Sequence, residues 1–227
     1  MSRVVKDAEV RRKELLDTAL SLFEREGYER TSIDRITEEV GIAKGTFYHY
    51  FASKQDLLEQ LVTDWADDLF ERLERTLAEM DADGLARLRA VFLLGSQWKL
   101  EERDTSMAFA QSLYSADNIR LRHALWGHWL EFTARLLTPI IAQGAEEGTF
   151  CVTDAEATSS ILAGLWFGWS DGQAERMLDL AEHPERADGI VRDLAAMETA
   201  MERILGMTQG TLKLGLGTYV EQFTEER

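Results

Sequence analysis

The sequence predicts an all-α protein. Apolar residues recur three and four apart along most of its length, and only two prolines, Pro139 and Pro184, interrupt 227 residues. Asn-Gly and Asp-Gly pairs are few, which removes the commonest hairpin signals. A 45% hydrophobic share can fill a core, and 29% charged residues suits a surface in water. Length alone leaves one large or two small domains open.

Each element can be justified in order. Leu15, Leu16, Ala19, Leu20 and Phe23 stand at helical spacing, and Gly27 ends that first helix. Ser32 is placed to cap a short helix whose apolar positions are Ile33, Ile36 and Val40. Gly41 supplies a sharp turn, and Thr46 to Phe51 read as another short helix. Ser53 with Asp56 forms a capping box that opens a much longer helix, to about residue 80. Its stripe is Leu57, Leu58, Leu61, Val62, Trp65, Ala66, Leu69, Phe70, Leu73, Leu77 and Met80, wide enough to bury one face. Leu85, Leu88, Val91 and Phe92 continue the pattern, followed by a helical segment over 107–114. A long helix over 117–147 is expected to bend at Pro139, which lacks a backbone donor, and to stop at Gly148. Thr153 and Glu156 read as a second capping box, starting a helix to about residue 181. His183-Pro184 is a loop, and 190–205 a further helix. In the tail, Leu212, Leu214 and Leu216 alternate, with Tyr219, Val220 and Phe223 behind them. An arm clasping a partner, a short extra helix and disorder all fit that stretch.

The net charge of −16 is unevenly spread. Up to Ala52 there are nine basic and ten acidic residues, leaving sixteen basic and thirty-one acidic beyond. Arg3, Lys6, Arg11, Arg12 and Lys13 make the start locally basic. A near-neutral head on an acidic body disfavours non-specific nucleic-acid binding by the body, so a polyanion could be contacted only by the head. The first thirty residues are charged and amphipathic, unlike a secretion signal. No apolar run is long enough to span a bilayer. Cys151 stands alone, which excludes an internal disulfide and suits a reducing compartment. A cytoplasmic location is the expectation.

Residues 32–51 have the make-up of a helix-turn-helix: two short helices at a steep angle, fixed by a few buried side chains. Ile33, Ile36, Val40, Ile42, Phe47, Tyr50 and Phe51 supply those. Helical phase then turns Gly45, Tyr48 and His49 outward, with Lys44 and Thr46 on their flanks, a short polar and aromatic face that fits a major groove. Gly45 permits close backbone approach. Lys44 and Lys54 suit phosphates, Tyr48 and His49 can donate to phosphate oxygens, and Thr46 can read a base edge.

The run from Thr31-Ser32-Ile33-Asp34-Arg35-Ile36 through Val40-Gly41-Ile42-Ala43-Lys44-Gly45-Thr46-Phe47-Tyr48-His49-Tyr50-Phe51-Ala52-Ser53-Lys54 resembles the tetracycline-repressor (TetR) family. The preceding Ala19-Leu20-Ser21-Leu22-Phe23-Glu24-Arg25-Glu26-Gly27-Tyr28 is similar to that family's first helix. The likeness covers roughly residues 10–58. It implies that Ser32, Lys44, Gly45, Thr46, Tyr48, His49 and Lys54 lie at or near DNA. It also implies an N-terminal three-helix helix-turn-helix DNA-binding domain, here 1–53, and a C-terminal helical domain for dimerisation and ligand binding, here 54–206, with 207–227 as a tail.

Two features of the second part fit that expectation. Large aromatics with interspersed polar groups are what a small-molecule cavity needs, and Trp98, His123, Trp126, Trp129, Trp166 and Trp169 are the candidate wall. For any one of them, ordinary core packing is the plainer reading. Gly164, Gly168 and Gly172 stand four apart, and each interior glycine costs a helix roughly 1 kcal/mol relative to alanine. A closely approaching backbone or ligand would account for them. With Leu194, Met197 and Met201 they are the candidate dimer interface; packing within the chain is the alternative. The function expected is a sequence-specific DNA-binding regulator, a homodimer on a near-palindromic operator of double-stranded DNA, released by a small-molecule effector. Control by a protein partner, or no effector, is the alternative. No catalytic constellation is visible. His123 and His128 are five apart, about 140° around a helix, which is not the four-apart pair of a metal site. No cofactor or metal is expected, and no membrane partner.

Overall fold

The computed structural model describes residues 8–180 and 182–225, the last three by backbone alone, so Arg3, Lys6 and the side chain of Phe223 fall outside it. Among the described residues every regular element is helical. In order these are α1 (Ala8–Glu26), α2 (Ile33–Val40), α3 (Lys44–Phe47), α4 (Lys54–Glu79), α5 (Gly84–Glu101), α6 (Arg103–Leu113), α7 (Ile119–Glu146), α8 (Ala155–Leu178), α9 (Ala187–Ile204) and α10 (Leu216–Glu225). They form two compact units. The first takes the chain up to Asp67 together with Arg103–Arg122, and the second takes Asp68–Glu102 together with the chain from His123 onward. Both α4 and α7 therefore begin in the first unit and end in the second.

In the first unit α1 buries Leu15, Leu16, Ala19, Leu22 and Phe23, the inner face of a 3.6-residue period. It stops where Gly27 takes φ +84°, a left-handed conformation other residues adopt reluctantly. The Ser32 hydroxyl accepts from Arg35 N at 3.1 Å and caps α2, as its sequence position suggests. Gly41, at φ +74°, then turns the chain sharply. α3 is shorter than the expected Thr46 to Phe51. Beyond Phe47 the backbone tightens into three-residue bonds, His49 N to Thr46 O at 3.2 Å and Tyr50 N to Phe47 O at 2.9 Å. The Ser53–Asp56 box does form. Ser53 Oγ accepts from Asp56 N at 3.0 Å, and the Asp56 carboxylate accepts from Ala52 N at 2.7 Å. α6 lies along α1, tied by Thr105 Oγ1 donating to Glu24 at 2.6 Å.

The second unit has a core of Leu88, Leu137, Ile141, Leu162 and Leu180, all essentially inaccessible. Its closest backbone approach involves glycines the sequence pattern did not flag. A Cβ on Gly84 would stand 2.6 Å from Gly144 N, so α5 and α7 touch main chain to main chain. α7 continues through Pro139 to Glu146. The cap of α8 is Asp154 rather than Thr153, with its carboxylate accepting from Ala157 N at 2.9 Å. The expected box was one residue early because both Thr and Asp are good caps, and the helix starts after the second. The tail is neither a free arm nor purely helical. Leu212 and Leu214 are buried in an irregular stretch that leads into α10, whose first residue Leu216 is buried too and which packs against α5 and α9. Its main chain is gripped from outside: Glu202 accepts from Gly210 N at 2.9 Å and Leu212 N at 2.7 Å. Glu198 accepts from Leu214 N at 3.0 Å. Arg89 donates to the carbonyls of Thr211 and Leu212.

Candidate DNA-binding site

The helix-turn-helix is built around Ile36, Phe47 and Phe51, each at 2% exposure or less. Ile42 N bonds Thr37 O at 2.9 Å across the turn, which fixes where α3 leaves α2. With Phe47 locked inward, the adjacent Tyr48 must point out, and it is 51% exposed with its ring edge-on to Phe47 at 5.5 Å. Lys44, Gly45 and His49 are exposed beside it, Thr46 is half-buried, and Ser32 is exposed at the start of α2. Lys44, Gly45, Tyr48 and His49 are thus open to solvent.

Gly45 has no structural reason to be glycine. Its φ is not positive, and a Cβ built on it meets nothing within 4 Å. Lys44 bridges to Asp34 at 2.9 Å, and that hydrogen bond pushes its pKa above the ordinary value. The ammonium is therefore steered across the α2–α3 junction. Lys54 is more deeply held. Its Nζ donates to the carbonyls of Tyr28 at 2.8 Å and Thr31 at 3.0 Å and sits 4.0 Å from the Tyr28 ring centre. Burial pushes its pKa down. Two of its three protons are thus committed to the loop that precedes α2. Tyr28 in turn packs edge-on against Phe23 at 5.1 Å and hydrogen-bonds Asn118, just before α7. Burial raises the Tyr28 pKa. Sequence reasoning missed Asp34, Tyr28 and Asn118, because their partners lie 10, 26 and about 90 residues away, beyond any local pattern.

In the second unit four of the six candidate wall residues fall into two ring clusters. Trp126 meets His123 at 6.0 Å and Phe167 at 6.4 Å. Trp166 meets Phe92 at 4.7 Å and Trp169 at 5.7 Å. His123 is exposed, and Trp98 is buried on α5. The indole N–H groups of Trp129 and Trp169 are buried without an acceptor among the described residues. Of the six candidate interface residues, Leu194, Met197 and Met201 are buried within the chain itself. Gly164, Gly168 and Gly172 have nothing within 4 Å of a built Cβ, and Ile161 on the same helix is 57% exposed. Among the described residues no helix is long and apolar enough to cross a membrane, and no cluster of His, Cys, Asp or Glu could hold a metal ion.

A three-helix head with a short outward face, joined to a larger helical unit, defines a helix-turn-helix DNA-binding transcription regulator. Residues 15–61 match the family described as bacterial regulatory proteins, tetR family. The HTH-type transcriptional repressor KstR2 of Mycobacterium tuberculosis is 29% identical over 161 residues, covering 66% of this chain and 74% of that protein. A TetR-family transcriptional regulator from Pectobacterium atrosepticum superposes with a TM-score of 0.63 at 22% identity, over 89% of this chain and 98% of that one. SmeT in complex with triclosan gives 0.60 at 21% identity, over 89% and 94%. Residues 15–61 thus match the TetR family, and the relative that resembles two thirds of the chain is a transcriptional repressor.

Proposed function

We propose that this regulator is a homodimeric repressor that reads a near-palindromic operator and leaves it when a small molecule binds its second unit. Gly45 carries the DNA assignment. A residue that neither backbone conformation nor packing requires to be glycine is explained by close approach of something outside the chain. In this reading Thr46 and Tyr48 meet bases and phosphates, His49, Ser32 and Lys44 donate to phosphates, and Lys54 offers its remaining proton while bracing the loop. Residues 1–53 act as the DNA-binding domain and 54–206 as the effector and dimerisation domain.

Dimerisation is supported by α8. Its middle, residues 161–169, is an unbroken run of apolar side chains and glycines, yet within the chain the helix buries only Ser159, Leu162 and Ala163. Its glycine ridge with Ile161 is the surface offered to a second copy. Leu194, Met197 and Met201 back that surface from inside. Effector control is supported by the aromatic groups around Trp126 and Trp166, and by α4 and α7, which run from one unit into the other. Binding that favours one arrangement of α7 would reach the head through Asn118 and Tyr28. A relative that is a repressor, and a neighbour solved with triclosan, support the same reading.

Titration of the chain's own upstream DNA with Gly45→Ala and Tyr48→Ala tests the contact face. Each is expected to weaken binding by about tenfold or more, roughly 1.4 kcal/mol, without lowering the melting temperature. Unchanged binding in both variants would remove the face.

A further inference from the structure

Asp34 places beside the recognition surface a carboxylate that the fold does not use. It stands in the first turn of α2, but the cap of that helix is the Ser32 hydroxyl, which accepts from Arg35 N. Its side chain is 68% exposed, and among the described residues its one partner is Lys44 of α3, itself 51% exposed. The Lys44 ammonium lies 2.9 Å from Oδ1 and 3.0 Å from Oδ2, so it holds both oxygens, as it would two oxygens of a phosphate. The basic side chains around it are engaged as well. Arg35 pairs with Glu39 at 2.6 Å and with Glu26 at 3.2 Å, Arg25 pairs with Glu26 at 3.0 Å, and Lys54 donates to two carbonyls. α2 itself carries Asp34, Glu38 and Glu39 against the single Arg35. The surface that meets a polyanion thus keeps these cations on acceptors of its own.

An exposed ion pair contributes little to stability, so folding does not require this one. Its consequence lies in binding. Lys44 makes a full charge-assisted contact with a phosphate only by leaving Asp34, and the carboxylate it leaves repels that same phosphate. From this we propose that Asp34 sets the affinity for DNA: it competes with a backbone phosphate for Lys44, and the pair opens when the operator is bound. The assignment rests on the phosphate role given to Lys44 above and adds the group that restrains it. Such a restraint suits a complex that has to be given up. Effector coupling typically changes affinity by about 5- to 150-fold, which releases a complex only if its affinity is kept modest.

A double-mutant cycle on the full-length protein tests this, with Asp34→Asn, Lys44→Met and the two combined. Each is titrated by fluorescence anisotropy against a duplex of the chain's own upstream region at one fixed salt concentration. Both side chains are exposed, so all three variants should fold, and thermal melts check that they do. Asp34→Asn keeps the shape of the side chain and is expected to tighten binding about threefold per recognition head, hence about tenfold for two heads. In the Lys44→Met background only the repulsion of phosphate is left to relieve, and the gain should fall to about threefold or less. Competition for one ammonium is what makes the two effects unequal. An equal gain in both backgrounds overturns the proposal while leaving the phosphate role of Lys44 standing, since Asp34 then acts only through its net charge. Unchanged or weaker binding by Asp34→Asn also overturns it, because the carboxylate then steers Lys44 toward the phosphate. If Lys44→Met has no effect with Asp34 present or replaced, Lys44 meets no phosphate, and the contact assigned to it falls together with the proposal.

Discussion

Lys54→Met separates two roles that this side chain combines. In the folded chain its ammonium donates to Tyr28 O and Thr31 O at 2.8 and 3.0 Å and lies 4.0 Å from the Tyr28 ring centre. A hydrogen bond from a charged group contributes about 1.5–3 kcal/mol, and a partly exposed cation–π interaction about 0.5–1 kcal/mol. Both carbonyls belong to a loop that water can partly reach, and methionine preserves the apolar stem. The expected net loss is therefore about 2 kcal/mol rather than the sum. Urea unfolding of the full chain reads this as a lower midpoint, with the signal taken from the first unit. DNA titration at several salt concentrations reads the second role. Removing one phosphate interaction from each recognition head reduces the slope of log K against log salt by about one per head. A midpoint shift below about 0.5 kcal/mol would refute the brace, and an unchanged slope would refute the phosphate role. Lys54→Arg should fail to rescue stability, because a planar guanidinium does not replace a compact ammonium between two carbonyls and a ring face.

Other variants probe the second unit. Burial, opposed by the Leu214 N–H and reinforced by the charge of Glu202, raises the pKa of Glu198 above the ordinary 4.5, so its protonated carboxyl contributes stability that is full below 4.5 and is lost as pH rises through the folded value. Glu198→Gln keeps an acceptor for Leu214 N and should raise the melting temperature at neutral pH, with the gain shrinking as pH falls toward 4.5; a gain that grows on acidification would contradict this. Gly84→Ala drives a methyl to 2.6 Å from Gly144 N and should cost on the order of 2 kcal/mol in chemical denaturation. At Gly168 a Cβ meets nothing within 4 Å, so Gly168→Arg has room to leave the helix and folding should persist while sedimentation shows a monomer; a dimer that survives it would move the interface off α8.

What can be read from the sequence is what is local. The caps at Ser32 and Ser53, the turns at Gly27 and Gly41 and the stripe of α4 are decided by neighbours within four residues, and all appear in the structure. The expected α3 is too long because Tyr48 to Phe51 keep helical spacing of apolar groups while the backbone tightens after Phe47. Periodicity marks Leu194, Met197 and Met201 as facing something apolar but does not distinguish the chain's own core, where they lie, from a partner's surface. The ridge at 164–172 stands out by its regular spacing, whereas Gly84 and Gly144, which need to be glycine, are separated by 60 residues and share no pattern.

The attachments of the tail have a further consequence. Arg89, Glu198 and Glu202 hold main-chain atoms of residues 210–214, so they are indifferent to which side chains those residues carry. Exchanging exposed Lys213 for a glycine, which also suits its φ of +44°, should therefore pass unnoticed. Removing it is another matter. With one residue fewer, the same three side chains would hold a frame in which Leu214 and Leu216 have traded places with their exposed neighbours. The tail can vary at its exposed positions, but its length is fixed to the residue.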